Sequence, residues 1–324
     1  MSDHDTFLAS ICANPDDDAP RLIYADWLEE QGDSTRAEFI RLQIEHAHLT
    51  SDSNRREWIE SRLKKLERAF RKQWAEPLKG MADSCEFFRG FVMSVTMPAE
   101  RFPICAEALF RLSPVRSITF KSPVGFMHRV ANCPFLERLS VVKFLSFYNV
   151  AVEAISSGDP FSPMATTIGV PDDRIGDIDL HALITSPFAT RLTWLYLDGG
   201  NISTDGLQLL LRSPIASQLT LLNLHGNRIG DEGVRMIAEC ETLQNLERLD
   251  VSNVGAGMTL GELFLRTLNY LRRSRTESTE PSPVQLLAAS KNLPKLQMVN
   301  FRGNRLFDAD RRALRARFGT GAII

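Results

Sequence analysis

Six histidines, five cysteines and scattered serines and carboxylates are the groups in this 324-residue chain that could serve as nucleophiles, bases or metal ligands. Their spacing argues against all three roles. His46 and His48, the one close pair among His4, His46, His48, His128, His181 and His225, sit two apart on an expected helix, so their side chains diverge. Cys12, Cys85, Cys105, Cys133 and Cys240 are odd in number and form no C-x-x-C pair. Reduced thiols in a cytoplasmic protein fit that pattern better than a disulfide framework or a zinc site. No H-E-x-x-H, G-x-S-x-G or G-x-x-x-x-G-K-[ST] occurs. The run Gly230 to Gly233, echoed by Ser203 to Gly206, reads as a turn into a helix, with its acids where the helix dipole favours them. No enzyme, metal site or cofactor is expected.

Recognition is the chemistry that remains, and two surfaces compete for it. Residues 55 to 72 hold eight Lys or Arg against three Glu, with Trp58 and Trp74 at the flanks. A surface that tracks phosphates needs such an excess. Mixed charge along a helix is more often a solvated face, however, and both tryptophans are expected in the core. A net charge of −2 gives no general attraction to nucleic acid or to an anionic membrane. No apolar run approaches the ~20 residues that span a bilayer, and the first residues lack the form of a secretion signal. Nucleic-acid binding through this helix is therefore the alternative reading, and a protein partner is favoured.

The elements that would position a binding face repeat. Leu219, Leu222, Leu224, Asn227 and Ile229 fit L-x-x-L-x-L-x-x-N-x-L at every defined position, and so do Leu296, Val299, Phe301, Asn304 and Leu306. Weaker copies start at Ala165, Leu192 and Leu246, and with Leu219 the four starts are each 27 residues apart. Upstream, the frames Val92-Val95-Met97, Val115-Ile118-Phe120 and Leu136-Leu139-Val141 continue the series, which makes eight repeats. In this pattern the last two apolar residues share one face of a short strand. Pairs such as Leu180 and Leu183, Leu207 and Leu210, or Val234 and Ile237 mark the inward face of a returning helix. Each unit is strand, turn and helix, and only stacked copies bury its apolar side.

Residues 88 to 318 thus resemble the ribonuclease-inhibitor-like leucine-rich repeats. The resemblance implies an α/β solenoid with a curved parallel sheet inside and helices outside. The concave face would then carry the positions between consensus residues, and nothing in the repeat demands the large aromatics found there. Trp194, Tyr196, Leu221, Asn223, His225, Arg248, Asp250 and Arg302 form the expected protein-binding patch. Upstream strands offer Ser94, Thr96, Ser117, Thr119, Ser140 and Gly169, and less affinity is expected there. The 254–295 stretch carries an insertion, read as a helix over 259–273 and a mobile loop over 276–283. At the carboxyl end an amphipathic helix, 308–319, caps the array with Leu314 and Phe318 inward. Its arginines Arg311, Arg312, Arg315 and Arg317, with Arg305, are expected to face water.

Residues 1–80 have a different texture, and the boundary places a small all-α domain before the repeat domain of 81–324. Helices are expected over 19–31, 35–49 and 54–74, with Asp18 as N-cap of the first and Ile23, Trp27 and Leu28 inward. The stretch from Pro15 to Asp33, then Arg36 to Gln43, resembles the bacterial repeat-companion domain, a module joined to repeat arrays. That resemblance implies architecture and no activity. Arg21, Tyr24, Asp26, Asp33, Arg36, Glu38 and Arg41 are expected to lock the helices together, with a docking surface as the alternative.

Overall fold

A computed structural model describes residues 2–49, 54–145, 174–255 and 280–324. The repeat segment 165–173, with Gly169, the expected helix 259–273 and residues 276–279 of the expected loop lie outside them. The described chain is α/β and divides into two compact units, Met1–Phe120 and Lys121–Ile324.

The first unit opens with four helices: α1 (Asp3–Ala13), α2 (Ala19–Glu30), α3 (Ser34–His48) and α4 (Asn54–Ala75). Ser2 and Asp5 form a reciprocal capping box on α1. Asp18 occupies the N-cap position of α2 but makes no cap bond; the Asp17 carboxylate accepts the Ala19 amide at 2.9 Å instead. Arg21, Tyr24, Ala25 and Leu28 form the buried stripe of α2, the i, i+3, i+4, i+7 set of one helix face. Ile23 lies off that stripe and is 56% exposed, against expectation, while Trp27 is half-buried and stacks on Tyr24. The same geometry corrects Trp58. The buried stripe of α4 is Ile59, Leu63 and Leu66, and Trp58 is half-exposed beneath the Arg55 guanidinium, 4.4 Å from its ring. Ion pairs join the helices as expected: Arg41 reaches Asp26 and Glu29, each at 2.7 Å, and Arg62 reaches Glu38 at 2.6 Å.

Strands β1 (Ser84–Phe88) and β2 (Phe91–Pro98) then pair as an antiparallel hairpin that the sequence reading missed. Its two turn residues, Arg89 at φ 49° and Gly90 at φ 86°, both take the left-handed conformation that suits a tight hairpin. Helix α5 (Phe102–Leu112) leads to β3 (Ser117–Lys121). Val92, Val95, Met97, Val115, Ile118 and Phe120 are all buried, in the expected frames.

The second unit alternates helix and strand. After α6 (Met127–Ala131) come β4 (Val141–Leu145), α7 (Asp177–Ile184), β5 (Trp194–Tyr196), α8 (Thr204–Arg212) and β6 (Leu221–Asn223). Helix α9 (Gly230–Glu239), β7 (Arg248–Asp250), α10 (Pro283–Ala289), β8 (Met298–Asn300), α11 (Asp308–Phe318) and β9 (Ala322–Ile323) complete it. Strands β4 to β9 pair in sequence order, all parallel.

Two expectations change here. Val142 pairs with Leu195, so the upstream frame is Leu139-Val142-Phe144, three residues later than the one expected. In addition, β4 is the direct neighbour of β5 in the described sheet, and Ile175 with α7 matches the tail of a repeat. Seven consensus starts lie on the described strands; the expected start at Ala165 lies outside the described residues. β7 likewise pairs directly with β8, and Ser282 and Pro283, expected in a loop, begin α10 with Ser282 as its cap.

Each turn out of a strand uses one device. Two residues past the last consensus apolar residue (Leu197, Leu224, Val251 and Phe301) come Gly199, Gly226, Asn253 and Gly303, all at positive φ. One step further on, the asparagine acts. Asn227, 2% exposed, donates from Nδ2 to Leu197 O at 2.8 Å and Leu224 O at 2.9 Å, and its Oδ1 accepts the Ile202 amide at 2.9 Å. Asn304 does the same for Val251 O, Phe301 O and the Val254 amide. Gly200 holds this position one repeat earlier for a steric reason. A Cβ there would lie 2.9 Å from Asn227 Oδ1 and 3.0 Å from Leu197 O. Gly200→Asn, which completes the sequence consensus, is therefore expected to destabilise by about 1–3 kcal/mol in urea unfolding rather than to stabilise.

At the end of the unit, buried Asp310 accepts from Ser282 Oγ, Gln285 Nε2 and the Phe307 amide. Arg317, expected in solvent, instead turns inward and donates to Leu287 O, Ser290 O and Leu293 O, carbonyls at and just beyond the end of α10.

Candidate functional site

Because β4 to β8 pair in register and bury Val142, Leu195, Leu222, Leu249 and Val299, the side chains flanking these form two outward rows. Val141, Trp194, Leu221, Arg248 and Met298 are successive partners in the first row. Lys143, Tyr196, Asn223, Asp250 and Asn300 are successive partners in the second. Neighbours in a row are one strand spacing apart, about 4.8 Å. Trp194 is 39% and Met298 41% exposed; Leu221 and Tyr196 are half-buried, and Arg248 is exposed. The first row is thus an apolar strip interrupted by one cation.

The second row serves the fold as well. Asn223, Asp250 and Asn300 each accept, on Oδ1, the amide two residues on, at 2.8, 2.9 and 3.1 Å. Such a local bond turns the chain out of its strand. Tyr196 has no such duty. The Lys143 ammonium sits 4.9 Å from its ring centre, and partial burial raises its phenol above the ordinary value, against the pull of Arg248. It therefore stands as a neutral hydroxyl at physiological pH. Lys143 was missed because the upstream frame was read three residues early; the triplet Leu139, Val142 and Phe144 is the signal that finds it.

His225 and Arg302 lie past the strand ends, in the turns. His225 Nδ1 is 2.7 Å from Ser252 Oγ, and Ser252 Oγ donates to Asp250 Oδ1 at 2.5 Å. The residue types of a hydrolytic triad meet here in the wrong order. In a working triad the imidazole lies between the hydroxyl and the carboxylate; here the hydroxyl lies between the other two. Ser252 is also 3% exposed, which leaves a substrate no access to it. This network fixes the turns between repeats. Arg302 is exposed and its amide is held by Asn300.

The basic helix offers less than its charge count suggests. Arg55, Arg56, Arg62 and Arg71 pair with Glu45, Glu60, Glu38 and Glu67. Half of the eight basic groups are thereby committed to carboxylates, which disfavours a phosphate track.

Among the described residues no group of His, Cys, Asp and Glu could hold a metal ion, and no helix is long and apolar enough to cross a membrane. No family pattern matches the chain, and no curated protein matches it.

Proposed function

We propose that this chain is a leucine-rich-repeat solenoid preceded by a repeat-companion module, and that it works without catalysis as a scaffold for a protein partner. The partner docks on the concave strand face, across Trp194, Tyr196, Leu221 and Arg248. One observation carries the reading: in-register pairing lines up Val141, Trp194, Leu221, Arg248 and Met298 as a strip that the interior does not use. Aromatic, Met and Arg side chains are those enriched at the centres of protein interfaces. The surrounding Asn223, Asp250 and Asn300 supply the polar margin, and their geometry is fixed in advance by the turns.

Leu221 sits at the middle of the strip, so Leu221→Glu puts a charge where the partner is to be desolvated. The immobilised full chain is expected to retain a discrete protein from native lysate, and the variant is expected to lose it with an unchanged melting temperature. Equal retention by wild type and variant counts against the strip.

A further inference from the structure

Two lengths set what can lie along the outward rows. Strands β5 to β8 are three residues each, so the two rows stand only about 7 Å apart along a strand. Across the strands, Val141 to Met298 spans four strand spacings, about 19 Å. An elongated segment that covers the strip must therefore cross the strands and not lie beside one of them. The spacing then selects its conformation. Side chains three and four apart on a helix are about 5–6 Å from one another, close to the ~4.8 Å between successive row positions. An extended chain repeats a face only every ~6.7 Å and falls out of step with the strip within two strands.

The chemistry of the rows sets the character of that helix. With a diameter of about 10–12 Å, a helix covers both rows at once. Val141, Trp194, Leu221 and Met298 meet one side of it, and Asn223, Asp250 and Asn300 meet the other. The Asp250 carboxylate is already taken up by Ser252 at 2.5 Å and Asn300 at 2.8 Å. Two cations are left open. Arg248 is exposed, and among the described residues its side chain makes no hydrogen bond or ion pair. The Lys143 ammonium rests over the Tyr196 ring with no carboxylate beside it among the described residues.

We propose that the partner seats an amphipathic α-helix across β4 to β8, its apolar stripe on Val141, Trp194, Leu221 and Met298 and a carboxylate of that stripe on Arg248. The inference rests on the strand-face reading above and adds to it the conformation and charge of the occupant. About 13 helical residues cover the strip, at 1.5 Å each. The apolar contacts on either side close water away from the carboxylate and guanidinium, and that pair fixes which turn of the helix meets which strand.

The test uses the full chain with benzoylphenylalanine at Val141, Leu221 or Met298, one position per protein. Each is irradiated with the retained partner, and the adducts are located by mass spectrometry. All three are expected in one partner segment, those from 141 and 298 about 13 residues apart and that from 221 between them. Arg248→Glu is expected to weaken binding at least about tenfold with an unchanged melting temperature. Ends about six residues apart, as an extended chain gives, or adducts scattered over separate segments, overturn the helix and leave the strand-face reading standing. Undiminished binding by Arg248→Glu overturns the carboxylate in the same way. No adduct from any of the three positions overturns the strand-face reading, and the helix with it.

Discussion

Asn227→Ala is expected to lower the free energy of unfolding by roughly 3–5 kcal/mol, a large part of what holds a domain together. The Asn227 side chain bonds its own repeat at Leu224 O and the preceding one at Leu197 O and the Ile202 amide. At 2% exposure there is no water to replace it, so truncation strands buried donors and acceptors that each cost about 1–3 kcal/mol. Because two repeats share those bonds, the loss should spread along the stack, and urea unfolding should show a lower midpoint with a similar slope. A change below about 1 kcal/mol would mean that the asparagine positions are not ties between repeats.

The Trp194→Ala/Tyr196→Ala double variant is expected to do the opposite, leaving stability within about 1 kcal/mol of wild type while binding weakens at least about a hundredfold. Trp194 is 39% exposed and stands between Val141 and Leu221 in its row, so little packing is lost. Tyr196 gives up a contact with the Lys143 ammonium, about 0.5–1 kcal/mol at an exposed site. At an interface the same two rings are candidates for central anchors, each about 2 kcal/mol or more when truncated, and two such losses account for the factor. Titration of the captured partner, with melting curves on both proteins, checks both halves.

Where the consensus is dense, the sequence was legible. Leu219, Leu222 and Leu224 fixed a strand and its buried face, and from these the outward positions of Leu221 and Asn223 followed by alternation alone. The frame slipped at Leu136 because Leu139 fits either reading; only pairing of Val142 with Leu195 decides between them. In the helices, Ile23 was assigned inward for its helical spacing to Trp27, and Trp58 for being a large apolar residue, although each lies off its helix's buried stripe. Arg317 was read as surface because charge alone does not show that the carbonyls after α10 need a donor. The outward strand positions were found, apart from Val141 and Lys143; the double use of Asn223 and Asp250 as turn locks was not.

The central claim is that the strand rows, and not the helices behind them, meet the partner. A photo-reactive benzoylphenylalanine placed at Leu221, and in a separate protein at Gln208 on the exposed side of α8, addresses it in one irradiation. A covalent adduct with the retained partner from position 221, and none from 208, is the predicted result. An adduct from 208 alone, or equal yields from the two positions, contradicts it.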